Sequence, residues 1–77
     1  MEVEVHLYSI LRERLPSESK GIARVTMPEG ATVADLLARF EIDQPVVVVV
    51  NGSRVRDRLE ELQAGAIVGI FTPVAGG

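Results

Sequence analysis

The sequence has 77 residues, of which 47% are hydrophobic and 4% aromatic, and its formal net charge is −3. This length supports one small domain with an aliphatic core, and the lack of cysteine excludes disulfide bonds, thiolate metal ligands and a cysteine nucleophile. The negative charge argues against a nucleic-acid-binding surface. The apolar run Val46–Val50 is too short to span a membrane, and the acidic start Met1–Glu4 is unlike a secretory signal, so we expect a cytoplasmic protein.

The first third of the chain predicts two strands separated by a short helix. Apolar and polar residues alternate over Val3–Leu7, which indicates a strand with one buried face. Ser9 is placed to cap a short helix that Pro16 ends. A second strand is predicted over Ile22–Met27, after which Pro28–Gly30 turns the chain.

The principal helix has both a start signal and an apolar stripe. Thr32 stands at the predicted N-cap, and Asp35 follows three residues later as a weaker form of the capping-box acid. The apolar residues that recur at i, i+3, i+4 and i+7 are Val33, Leu36, Leu37 and Phe40. One face of this helix is therefore expected to lie on a sheet.

The next segment predicts a β-hairpin. Val46–Val50 reads as a third strand, and Ser53–Arg56 as the short strand that returns beside it. Asn51-Gly52 between them indicates a type I′ turn, because that turn requires positive φ at both central residues.

The end of the domain completes the predicted fold. Leu59 and Leu62 are expected to tuck in beneath the sheet, and Ile67–Phe71 is expected to form the last strand. Strands on both sides of one principal helix predict an α+β domain over residues 1–72, with the helix packed across one sheet of four to five strands. This order suits a β-grasp fold.

The valine run does not alternate, and it leaves two interpretations open. A strand in a sheet that is covered on one face should alternate between apolar and polar residues. Either both faces of this strand are buried, or one alternate set of valines lies on an open apolar face that binds a partner. The possible partner face consists of Val46, Val47, Val48, Val49, Val50 and Phe71.

The side chains provide no catalytic constellation. The lone His6 lacks the partners that general acid–base chemistry needs, and we interpret it as a surface residue. No group of His, Asp and Glu has metal-ligand spacing, so neither a metal nor a bound cofactor is expected. The alternate arginines Arg54, Arg56 and Arg58 fit a solvated edge strand, with contact to an acidic partner as the second interpretation.

The end of the chain suggests chemistry on the backbone itself. Residues 73–77, Pro73, Val74, Ala75, Gly76 and Gly77, are expected to form an extended, flexible tail. Such a tail would reach roughly 17 Å and could enter a narrow channel, because its last residues lack side chains. The terminal carboxylate of Gly77 could then attack the α-phosphate of ATP. The alternative interpretation of these residues is a frayed chain terminus without a function.

Together these residues resemble the MoaD/ThiS group of ubiquitin-like sulfur carriers, most closely the small subunit of molybdopterin synthase. The similarity covers essentially the whole chain, and the terminal octet is its most specific part. The matching segments are Leu11–Glu13, Ala31–Leu37, Val50–Gly52 and Ile70–Gly77. The resemblance implies a β-grasp fold in which a mixed sheet of four to five strands grips the helix Thr32–Phe40.

The resemblance also implies a mechanism and two partners. An E1-like activating enzyme would use ATP to adenylate Gly77, and a sulfur source would convert the adenylate to a thiocarboxylate. The tail would then enter the active site of a MoaE-like large subunit and deliver sulfur to a pterin precursor of the molybdenum cofactor. On this interpretation the chain is not an enzyme by itself. It is the sulfur-donating subunit of a hetero-oligomeric sulfurtransferase.

Other pathways remain open. The segment Gln63–Ile67 and the residue Thr72 depart from the family's usual pattern, which leaves the identity of the partners undecided. A carrier for cysteine synthesis, thiamine thiazole or tRNA thiolation would use the same chemistry. A ubiquitin-like modifier would instead join its terminus to lysines, and the single lysine of this chain, Lys20, disfavours polymers linked through it. The last alternative is a plain β-grasp interaction module.

Overall fold

The structure is a computed structural model that describes residues 1–73, so the predicted tail residues Val74–Gly77 lie outside the described residues. Its five strands form one sheet in the order β2-β1-β5-β3-β4. The central pair, β1 and β5, is parallel, and the other pairs are antiparallel. The elements are β1 (Glu2–Leu7), a 3-10 helix (Ser9–Arg14), a second 3-10 helix (Ser17–Ser19), β2 (Ile22–Thr26), α1 (Val33–Arg39), β3 (Val47–Val50), β4 (Ser53–Arg54) and β5 (Ile67–Phe71). The predicted α+β arrangement is confirmed.

The core lies between α1 and one face of the sheet. Alternation along each strand sends one set of side chains into this layer and the other set to the opposite face. The helix contributes its predicted stripe, and Phe40 packs against the core from the C-cap of α1. The fully buried side chains are Val3, Val5, Leu7, Leu11, Val33, Leu36, Val68 and Ile70.

The start of α1 carries the predicted capping box. The backbone N–H of Asp35 donates to Thr32 Oγ1 at 3.2 Å, and the backbone N–H of Thr32 donates to Asp35 Oδ2 at 2.8 Å. Two N–H groups that a helix start leaves without an intrahelical partner are thereby satisfied. Asp35 performs this role as fully as the more usual glutamate.

Replacing the capping threonine is expected to destabilise the domain. Thr32→Ala removes the side-chain acceptor and should lower the free energy of unfolding by about 1 kcal/mol. For a domain of this size that loss corresponds to a Tm lower by roughly 4–8 °C. Thermal unfolding followed by circular dichroism measures it, with Ser17→Ala as the control, since Ser17 makes no capping hydrogen bond. Equal Tm values for the two variants would contradict the assignment.

The predicted cap of the first short helix is wrong. Tyr8 is the N-cap residue, no side chain caps the helix, and Ser9 lies inside it with φ 53°. The reason is that pairing continues past the end of β1, because the N–H of Tyr8 donates to the carbonyl of Ile70 at 3.2 Å. The turn then begins at Tyr8, whose carbonyl accepts from the N–H of Leu11 at 3.1 Å.

The hairpin is confirmed, with a shorter return strand than predicted. Asn51 and Gly52 have φ values of 49° and 86°, as a type I′ turn requires. β4 covers Ser53–Arg54 and not Ser53–Arg56, although the N–H of Val55 still donates to the carbonyl of Val48 at 2.8 Å.

The two leucines that follow the hairpin have different environments. Leu62 is 4% exposed, and its N–H donates to the carbonyl of Ala31 at 2.8 Å, which holds it beside the start of α1. Leu59 is 73% exposed, so the prediction that it tucks in is wrong. Its N–H bonds to Asp57 Oδ1 at 2.9 Å in a surface turn, and this turn holds the backbone of Leu59 at the surface.

Candidate functional site

The sheet has an apolar face on the side away from α1, which we call the open face. The strand register fixes its membership, because His6 pairs with Gly69 and Gly69 pairs with Val49. Their sequence neighbours Val5, Val48, Val68 and Ile70 point into the core. The open face consists of His6, Tyr8, Val47, Val49, Ile67, Gly69 and Phe71.

The valine run divides between the two sides of the sheet. Val48 is 4% exposed and pairs with Ile70 in the core, while Val46 and Val50 pack against the core from its margin. Val47 and Val49 are half-buried and lie on the open face beside β5. Of the two interpretations of the run, the structure therefore favours one alternate set on an open apolar surface.

The open face contains a shallow concavity of about 510 Å³. Three large side chains in its wall stay accessible, with Tyr8 48%, Ile67 51% and Phe71 36% exposed. Gly69 lies at the bottom of the concavity, and its lack of a side chain leaves this space open. A Cβ at Gly69 would lie in the space beside the Tyr8 ring, 3.5 Å from Tyr8 Cε2. A continuous accessible apolar surface of this kind is typical of a site for another protein or an apolar ligand.

An aromatic pair stands where the chain leaves the sheet. Phe71 is the last residue of β5, and its ring meets that of Tyr8 edge-on, with centroids 6.1 Å apart and planes at 79°. Such T-shaped pairs are favourable beyond the area they bury. The exposed Pro73 follows two residues later. Any partner that binds the residues after Phe71 would therefore meet this pair at the edge of the open face.

The two ends of the open face differ in their charges. On the β1–β2 side, Glu4 Oε2 lies 2.7 Å from His6 Nε2, and Arg24 lies 3.8 Å from Glu4 and 3.7 Å from Glu2. On the opposite edge, Arg54 of β4 pairs with Val49 and so stands on the open face. Within residues 1–73, no carboxylate lies within 4.0 Å of Arg54.

Sequence reasoning found part of this site. It identified the valines and Phe71, but it placed His6 only on a polar surface and missed Tyr8, Ile67 and Gly69. Alternation in the last strand could have revealed two of these, because burying Val68 and Ile70 sends Ile67, Gly69 and Phe71 to the other side. Of the predicted tail, Pro73 is described, whereas Val74, Ala75, Gly76 and Gly77 lie outside the described residues.

The described residues show neither a metal centre nor a membrane span. Residues 1–73 contain no group of three or more His, Asp and Glu side chains arranged to hold a metal ion. Among the same residues, no helix has the length and apolar character needed to cross a bilayer.

The sheet order, the parallel central pair and the helix across one face define a ubiquitin-like β-grasp protein, as predicted. The chain belongs to the ThiS family, whose model matches residues 5–77. The resemblance to MoaD/ThiS-like carriers is thereby confirmed at the level of the family. A search of curated proteins gives no match.

Solved structures similar to this chain include molybdopterin converting factor subunits and an archaeal modifier protein. A putative molybdopterin converting factor subunit 1 from Pyrococcus furiosus has 28% identity and a TM-score of 0.78, with 96% of this chain and 99% of that chain covered. Small archaeal modifier protein 1 (SAMP1) from Haloferax volcanii has 25% identity and a TM-score of 0.74, with both chains covered completely. A third similar chain comes from the complex of subunits 1 and 2 of the Helicobacter pylori molybdopterin-converting factor. It has 17% identity and a TM-score of 0.68, with both chains covered completely, and this similarity concerns the fold alone.

Proposed function

We propose that this protein is a sulfur carrier that serves as the small, sulfur-donating subunit of molybdopterin synthase in molybdenum cofactor biosynthesis. The observation that carries the proposal is the family match, which runs from residue 5 through the terminal pair Gly76-Gly77. The similarity to the Pyrococcus furiosus protein, described as a putative converting factor subunit, supports this pathway over others. The reaction would take place in the cytoplasm.

The chemistry would take place on the carboxylate of Gly77. An oxygen of that carboxylate attacks the α-phosphate of ATP in an E1-like activating enzyme, pyrophosphate leaves, and an acyl-adenylate forms. A hydrosulfide ion then attacks the acyl carbon, AMP leaves with its bridging oxygen, and loss of the sulfur-bound proton gives a thiocarboxylate. The terminal group is ionised at neutral pH and is therefore ready to attack. This chain supplies the reacting group, and its partners supply the catalysis.

The open face would bind the large subunit. Val47, Val49 and Phe71 are accessible there, and Phe71 lies two residues before Pro73, where the predicted tail begins. A partner that covers this surface would receive the tail from its edge. The predicted contact residues Val46, Val48 and Val50 are assigned to the core side instead. The similar Pyrococcus furiosus protein is described as subunit 1 of a putative converting factor, which supports a hetero-oligomer of this kind.

A second function is favoured by the similarity to small archaeal modifier protein 1. A modifier would use the same acyl-adenylate, but the ε-amine of a lysine on another protein would attack the acyl carbon, and an isopeptide bond would form with loss of AMP and a proton. Carriers for cysteine, thiamine thiazole or tRNA thiolation also share the first step.

Intact mass spectrometry tests the proposal. After incubation with an activating enzyme, ATP and a sulfur donor, we expect the mass to rise by the difference between sulfur and oxygen. Addition of a large subunit and the cyclic pterin precursor should then yield the dithiolene product. Thiocarboxylate without dithiolene would assign the protein to another carrier pathway, and adducts with other proteins would assign it to the modifiers. An unchanged mass with several competent activating enzymes would refute sulfur carriage.

A further inference from the structure

We infer that Arg54 selects the partner, by pairing with a carboxylate on the surface that covers the open face. The inference rests on the proposed function, since it assumes that a large subunit binds there. The inference concerns which partner surface binds the open face. The sulfur chemistry at Gly77 does not depend on it.

The strand register places Arg54 beside the apolar concavity. One row crosses the sheet from edge to edge through Ile22, His6, Gly69, Val49 and Arg54. Residues in one register row point to the same face of a sheet. A partner wide enough to cover Val49 and Phe71 therefore reaches the side chain of Arg54 at the β4 edge.

The other charged groups of this face have partners within the chain. Glu4 is shared between His6 at 2.7 Å and Arg24 at 3.8 Å, and Arg24 also lies 3.7 Å from Glu2. Arg54 differs, because within residues 1–73 no carboxylate lies within 4.0 Å of it. Among residues 1–73, the β4 end of the face therefore has no carboxylate paired with its arginine, whereas the β1–β2 end has two carboxylates beside Arg24.

Covering the concavity makes the lack of a partner for Arg54 among residues 1–73 unfavourable in free energy. Apolar contact with Val49 removes water from the neighbouring guanidinium, and a charged group that loses its hydration without gaining a partner is costly. A carboxylate restores the balance and can accept two parallel N–H bonds from arginine. Charge complementarity at the edge of an interface contributes mainly to association rate and to the rejection of wrong partners. The partner is therefore an apolar surface with an Asp or Glu opposite Arg54.

Charge reversal with a matched control tests this assignment. The probe is the purified molybdopterin synthase large subunit from the same organism, and the Kd is measured by calorimetry at low and high salt. Arg54→Glu should weaken binding about tenfold at low salt, chiefly through the association rate. At 1 M salt, where the screening length is about 3 Å, the difference should shrink to about twofold. Arg58→Glu makes the same charge change in the groove beside α1 and should leave the Kd unchanged.

The outcomes separate this inference from the proposed function. Restoration of binding to Arg54→Glu by an Asp→Arg or Glu→Arg change in the large subunit would establish the pair. If the wild type binds and both reversals weaken binding equally, or if Arg54→Glu binds as the wild type does, the role of Arg54 is refuted and sulfur carriage stands. Salt-sensitive dimerisation of the free protein, lost in Arg54→Glu, would assign the face to a second copy and overturn the inference. Absence of wild-type binding would refute the large-subunit assignment itself.

Discussion

A chain that lacks Gly77 should accept sulfur at least about 100-fold more slowly than the full-length chain. Deletion leaves a terminal carboxylate on Gly76, so the reacting group survives, but it recedes by roughly 3.3–3.6 Å. The oxygen must meet the α-phosphate in line, and a displacement of about 1 Å alone can cost about 10²-fold in rate. Thiocarboxylate formation over time, followed by intact mass, measures the effect.

The fold provides the control for this truncation. Residues 1–73 contain the sheet, α1 and the core, so deletion of Gly77 should leave the urea unfolding curve unchanged. Gly77→Ala, which keeps the length and adds one methyl group, tests whether the channel of the activating enzyme is as narrow as we expect. Loading of the truncated chain at the full-length rate would be incompatible with a carrier role for Gly77.

Adjacent valines should respond in opposite ways to the same substitution. Val48→Asp places a carboxylate in the core, where it pairs with no charge and displaces contacts with Ile70. Burial of an unpaired charge costs about 4–5 kcal/mol or more, which is comparable with the whole folding free energy of about 4–12 kcal/mol for so small a domain. We expect Val48→Asp to be largely unfolded by circular dichroism at 25 °C.

Val49→Asp, in contrast, should fold and lose its partner. Its side chain lies on the open face, where water can hydrate a carboxylate, so the cost in stability should stay within about 1 kcal/mol. A partner that covers the concavity would have to remove that water, and the large-subunit Kd should rise at least about tenfold. Val49→Thr keeps the shape without the charge and is the matched control. Unfolding of both aspartate variants would eliminate the open face as a binding surface.

The sequence predicted best those features that depend on a few neighbouring residues. The hairpin follows from Asn51-Gly52 and the start of α1 from Thr32 and Asp35, because each signal satisfies its own backbone locally. The last strand has the predicted bounds, Ile67–Phe71, and it lies between the turn at Gly65 and Pro73, whose nitrogen cannot extend a ladder. These elements already required an α+β fold with the helix on one face.

Features that depend on distant pairing could not be predicted in the same way. Ser9 lost its role as a cap because Tyr8 stays bonded to Ile70, a contact that the local sequence does not contain. The two sides of the valine run could be distinguished only once β3 had a register against β5. The same register gives Arg54 its place on the open face, whereas its sequence surroundings indicate merely a charged edge.

The position of β5 in the middle of the sheet has a mechanical consequence. This strand is hydrogen-bonded to β1 on one side and to β3 on the other, and it leads into Thr72 and Pro73. A force applied to the chain beyond Pro73 is therefore distributed over the hydrogen bonds of β5 to both β1 and β3. An edge strand, in contrast, would have hydrogen bonds to one neighbour only. If partner enzymes bind and release the end of the chain in repeated cycles, as the proposed function requires, the domain behind it should keep its shape through each cycle.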